Sequence, residues 1–132
     1  MAVDGGLSQP QDTVYARVGG LPFFVALVDR FYTAVEADPV LRPLYPDDLG
    51  PGKANLAEFL AQYWGGPPTY SARRGHPRLR MRHAHFAIGD RERDAWVAHM
   101  TAAVAAGEAE PPVAEALVAY FRDAADVLVN QP

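Results

Sequence analysis

The sequence predicts an all-α protein, and three observations carry that expectation. Apolar residues recur at three- and four-residue steps over long blocks, no stretch alternates with period two, and glycine and proline punctuate the chain between blocks. With 132 residues the chain suits one domain with a single core. A hydrophobic share of 49% against 21% charged residues is a globular balance, not a disordered one. A loose tail over 1–11 and one folded domain over 12–132 are expected.

The elements follow in order. TVYAR forms a short helical turn stopped by Gly19 and Gly20, and Pro22 sits in the first turn of a second helix. Along that helix Phe24, Leu27, Val28, Phe31, Tyr32 and Val35 make one apolar stripe, which ends near Asp38-Pro39. A brief segment around VLRPLY leads into a loop, PDDLGPG, followed by a helix with Leu56, Phe59, Leu60, Tyr63 and Trp64 on one face. GGPPTYSARRG reads as a long loop that breaks this helix. Pro77 then opens a short helix through Phe86. Asp90 or Asp94 caps the next, which carries Trp96, Val97, Met100 and Val104 as far as Gly107. The last helix opens at Pro111-Pro112 and runs through Leu117, Tyr120, Phe121 and Leu128.

Several function classes are excluded. A formal charge of −4 argues against a duplex nucleic-acid binder, whose affinity comes from neutralising phosphates. The absence of cysteine removes disulfides, thiolate nucleophiles, iron–sulfur ligation and thioether-linked haem. No apolar run approaches the ~18 residues of a membrane span, and the first residues lack the basic and apolar regions of a secretory signal. A cytoplasmic protein is expected.

The informative stretch is GHPRLRMRHAHF, residues 75–86, basic in an acidic chain. In a helix from Pro77, Leu79, His83 and Phe86 fall at i, i+4 and i+7, so His83 belongs to the apolar face. His85 projects elsewhere, and His76 precedes the helix. A neutral imidazole in apolar surroundings is a good axial ligand for iron. A single inward histidine more often satisfies a local hydrogen bond than binds metal. Arg78, Arg80 and Arg82 change the balance, because guanidinium forks pair well with the propionate carboxylates at the rim of a haem pocket. A solvated helix face is the plain alternative for the arginines. A zinc site is weaker, since the two histidines of H-A-H diverge on a helix and no cysteine or nearby carboxylate completes a tetrahedron. If His83 holds an iron, donors on the other side stabilise a polarised diatomic ligand. Tyr32, Tyr45 and Trp96 are candidates, and core packing explains any one of them equally well.

These motifs resemble the truncated haemoglobins, in particular group II, over nearly the whole chain from Tyr15 to Asn130. The resemblance is carried by RFY with Tyr32, LRPLYPDD with Tyr45, FLAQYWGGPPTYS, RGHPRLRMRHAHF and ERDAWV with Trp96. It implies a two-over-two helical sandwich enclosing haem b, with His83 as the proximal metal ligand. It further implies a distal pocket furnished by Tyr32, Tyr45 and Trp96, with Gly52 where globins often carry a hydrogen-bonding side chain. Leu56 then packs over the distal face, Phe59, Tyr63, Leu79 and Phe86 line the macrocycle, and Arg82 meets a propionate. His85 departs from the proline usual in the family.

The function so implied is reversible binding of O2 and other diatomic gases such as CO and NO, for transport or storage. The alternative is a redox enzyme, turning over nitric oxide with O2 or reducing peroxide, and it needs an external reductase as electron donor. A haem-free helical interaction domain is a third reading, opposed by His83 and Arg82. Fold alone does not choose among them, and the oligomeric state is left open.

Overall fold

The computed structural model describes residues 13–75 and 87–130, all of it helix, turn or loop. The N-terminal tail and the expected helix from Pro77 to Phe86 lie outside the described residues, and with that helix His76, Leu79, Arg82, His83, His85 and Phe86.

Helix α1 is Val14–Arg17, capped by Thr13, whose hydroxyl accepts from the Ala16 amide at 3.0 Å. Gly19 and Gly20, both with positive φ, turn the chain into α2, Leu21–Glu36. Every member of the expected stripe on α2 is buried: Phe24, Leu27, Val28, Phe31, Tyr32 and Val35. A single 3-10 turn follows at Arg42–Leu44.

Three boundaries differ from the sequence reading. Helix α3 is Gly50–Tyr63, so Gly50, Pro51 and Gly52 belong to the helix and not to the loop. Pro51 stands in the first turn, where its missing N–H has no intrahelical partner to lose. The stretch read as one long loop contains α4, Thr69–Arg74, which begins directly after Pro67-Pro68 and buries Tyr70. Helix α5, Asp90–Ala105, is capped by neither aspartate. Its N-cap is Gly89, whose amide donates to the Glu92 carboxylate at 3.0 Å. Helix α6, Pro111–Leu128, has the expected bounds.

The chain divides into two compact units. The described residues of Met1–Val28 and Gly50–Pro77 form one, and those of Asp29–Leu49 and Arg78–Pro132 the other. In the first, α3 and α4 are joined by Gln62, which donates to the Ser71 hydroxyl at 2.7 Å and accepts from the Ser71 amide at 2.9 Å. Arg73 adds an ion pair with Glu58 and a bond to Asn55 at 2.9 Å. α1 meets the end of α3 through the Tyr15 amide and the Trp64 carbonyl, 2.9 Å apart. Gly65 makes that approach possible: its φ is +112°, and a Cβ there would stand 2.4 Å from the Thr13 Cβ.

In the second unit α5 and α6 pack on each other. Met100, Ala103 and Val104 are buried on one, and Val113, Leu117, Phe121 and Ala125 on the other. Arg30 of α2 donates from Nε to the Ala103 carbonyl at 2.9 Å, satisfying an acceptor near the end of α5. Asn130 pairs with Ile88 in both directions, at 2.8 and 2.9 Å, closing the chain just after α6.

Candidate functional site

Three of the expected site residues converge in the second unit. Tyr32 is buried on the inward stripe of α2, 6% exposed. The Tyr45 ring meets it edge-on at 5.5 Å. The Trp96 indole donates its N–H to the Tyr45 hydroxyl. Trp96 is held edge-on against Phe31 at 5.4 Å and Phe121 at 5.8 Å, so α2 and α6 both fix its ring.

Local sequence explains how each arrives. Tyr32 follows the three- and four-residue spacing of α2. Tyr45 closes the 3-10 turn, and Arg42 holds the loop after it. Arg42 Nη1 donates to the carbonyls of Tyr45 at 3.2 Å and Pro46 at 3.0 Å, and Nη2 to that of Asp47 at 3.2 Å. Trp96 rides on α5 in its second turn.

Burial governs the electrostatics. It pushes the Tyr32 phenol from 10.0 up to about 12, because the phenolate would lose its hydration. The Tyr45 phenol moves the same way. Burial is the main cause and the neighbouring Tyr32 adds to it, while the bond from Trp96 opposes the shift in part. Both phenols therefore stay protonated at neutral pH. A hydroxyl that accepts from the indole retains its own proton to give, so the cluster offers donors and no fixed charge.

The remaining described candidates lie in the first unit, all on α3. Gly52 is its third residue. Leu56 and Phe59 are half-buried. Tyr63 is 55% exposed. Phe59 stands 6.2 Å from Tyr63 and 5.4 Å edge-on from Tyr70. This gives α3 a partly uncovered apolar and aromatic face.

Sequence reasoning missed five participants. Tyr70 was hidden in the supposed loop. Phe31 and Phe121 were read as core alone, whereas they also grip Trp96. The pair between His99 and Asp38 was not foreseen: His99 Nε2 lies 2.6 Å from Asp38 Oδ2. The bond from His99 is the main cause that holds the Asp38 carboxyl below its ordinary value, with the Val40 amide next. Nothing local announces a contact between residues so far apart in the chain.

Comparison with known proteins places this geometry. The family model for bacterial-like globins matches residues 13–130. The chain belongs to the truncated haemoglobins, group II. It is 40% identical over 105 residues to the group 2 truncated haemoglobin of Bacillus subtilis (strain 168), covering 80% of each chain. The crystal structure of the haemoglobin from Chloroflexus aurantiacus is 55% identical, with a TM-score of 0.88 over 90% of this chain and 98% of that one. The truncated oxygen-avid haemoglobin from Bacillus subtilis is 36% identical, with a TM-score of 0.83 over 90% of this chain and all, 100%, of its own. The fold class read from the sequence, an all-α truncated globin, is thereby established.

A truncated haemoglobin carries haem and binds diatomic gases, and the described residues of this one fit that group. The cluster of two protonated phenols and an indole suits a polarised, uncharged gas. The half-covered Leu56, Phe59 and Tyr63 face suits an apolar macrocycle. Among the described residues no group of three or more histidine, cysteine or carboxylate side chains could hold a different metal ion. None of the helices among them is long and apolar enough to cross a membrane.

Proposed function

We propose that this truncated haemoglobin reversibly binds O2, with CO and NO as further ligands, at a haem b whose iron is held by His83. The observation that carries this reading is the Tyr32, Tyr45 and Trp96 cluster, in which burial keeps both phenols protonated and the indole donates to one of them. The proposed holding set is His83 for the metal, Leu56, Phe59, Tyr63, Leu79 and Phe86 for the macrocycle, and Arg82 for a propionate. The haem-binding domain spans 12–132 and works in the cytoplasm. Gly52 leaves its position without a side-chain donor, so retention of the gas falls to the aromatics.

When bound, the haem supplies a ferrous iron to which a diatomic gas attaches. The protein's share is to hold protons in place. Trp96 occupies one acceptor site of the Tyr45 hydroxyl, which turns the Tyr45 proton away from the indole and makes it available to the ligand. Tyr32 buries a second hydroxyl beside it. Because neither phenol ionises near neutrality, the donors persist across the physiological range. Each retained hydrogen bond to a polarised ligand contributes on the order of 1 kcal/mol or more, which slows gas release severalfold. Reversible binding asks for no electron donor, whereas turnover of nitric oxide or peroxide needs a separate reductase.

The test is an absorption spectrum of the protein loaded with haem, in ferric, ferrous and CO-bound states, beside His83→Ala. A sharp Soret band that shifts with CO, lost in the variant and restored by imidazole, supports the reading. A wild-type chain without a Soret band refutes it. An unaltered spectrum in His83→Ala removes that residue from the metal.

A further inference from the structure

We infer that His99 and Asp38 form a positioning brace that sets the Trp96 indole against Tyr45, and so tunes how firmly the distal donors hold a gas. The inference rests on the haem-protein reading above. His99 lies three residues after Trp96, one turn along the same side of α5. Its Nε2 reaches Asp38 Oδ2 at 2.6 Å, with the histidine side chain 29% and the aspartate 16% exposed.

Asp38 stands just beyond the end of α2, on the chain segment between Tyr32 and Tyr45. Its other carboxylate oxygen accepts from the Val40 amide at 2.7 Å, which fixes the start of the turn that delivers Tyr45. One carboxylate therefore ties the helix carrying the indole to the segment that joins both phenols. The ring contacts of Trp96 with Phe31 and Phe121 hold its ring but are apolar, so they do not by themselves set the direction of the indole N–H. A bond from an imidazole N–H to a carboxylate is directional and short, and it resists a shift of α5 against the turn. A displacement of a few tenths of an ångström there changes the indole's alignment with the Tyr45 hydroxyl, because hydrogen bonds weaken steeply away from linearity. His99 touches no ligand; it acts through Trp96.

The experiment compares wild type, His99→Ala, His99→Gln and Asp38→Asn as full-length, haem-loaded protein. Three quantities are read: the O2 release rate, the C–O stretching frequency of the CO complex, and the Trp96 indole N–H proton resonance. The expected result for His99→Ala is O2 release faster by roughly two- to tenfold, the span of one weakened neutral hydrogen bond. The C–O stretch moves up and the indole resonance moves upfield. His99→Gln, which retains a side-chain N–H of similar reach, restores all three toward wild type. Asp38→Asn keeps an acceptor without its charge and falls between, and it serves where His99→Ala fails to fold. An unmoved stretch and resonance in His99→Ala, or no restoration by glutamine, overturns the brace. A wild type that takes up no haem overturns the functional reading. In that case the indole resonance of the haem-free chain decides the brace alone, and its failure to move in His99→Ala overturns it.

Discussion

Tyr32→Phe isolates the feature that makes the distal cluster a donor set. Tyr32 is 6% exposed, and burial moves its phenol from 10.0 to about 12. In the unfolded chain the phenol ionises near its ordinary value, so between pH 10 and 12 the folded state holds a proton that the unfolded state releases. The sign follows: stability is complete below pH 10 and declines as pH rises through 12. One pKa unit corresponds to about 1.4 kcal/mol, so this one phenol removes about 1.4 kcal/mol at pH 11 and up to about 3 kcal/mol beyond its folded pKa. Total stabilities of roughly 5–15 kcal/mol make that loss readable. The assay is urea unfolding of the haem-free chain at pH 9, 10 and 11, for wild type and Tyr32→Phe. The variant is expected to show a shallower decline, by about 1.4 kcal/mol at pH 11. Parallel declines would refute the claim that the Tyr32 hydroxyl is buried and protonated, and with it the donor role built on that claim.

Other perturbations probe the remaining structure. Trp96→Phe removes the indole donor and is expected to speed O2 release in stopped flow by roughly 5- to 13-fold, the equivalent of about 1 to 1.5 kcal/mol; an unchanged rate removes Trp96 from the role. Gly65→Ala forces a side chain onto a backbone with φ of +112° and a Cβ 2.4 Å from that of Thr13. It is expected to destabilise the chain by on the order of 1–3 kcal/mol in chemical denaturation. Phe121→Ala empties a buried ring site on α6 that also grips Trp96, and should lower stability by about 3–5 kcal/mol in thermal melts while loosening the distal cluster. Asp38 is held below its ordinary 3.8, so its contribution is present above that pH and is lost as pH falls through the lower folded value. Asp38→Asn is expected to flatten that part of an acid-unfolding curve.

How far each of these features could be read in advance depends on how local its cause is. Tyr32 was readable because its inward direction follows from the spacing of Phe24, Leu27, Val28, Phe31 and Val35 on the same helix. Helix α4 was not. Gly65 and Gly66 close α3 after Tyr63 and Pro67-Pro68 lead directly into α4, so one cluster of glycine and proline that reads as a single break holds both a stop and a start. The N-cap of α5 misled for a related reason: Asp90 is a good cap by type, yet the Glu92 side chain folds back to the Gly89 amide and shifts the start by one residue. The site divides along the same line. That Tyr45 and Trp96 are amphipathic aromatics is visible in the chain, but that the indole donates to the phenol depends on how α5 packs beside the turn after α2. No spacing encodes that packing, and Asp38 and His99 lie 61 residues apart. The family motifs pointed to Tyr32, Tyr45 and Trp96, because each of these aromatics stands inside one of them. Neither Asp38 nor His99 falls inside those motifs, so the proposed brace, which would act only through the orientation of Trp96, had no signal in the chain.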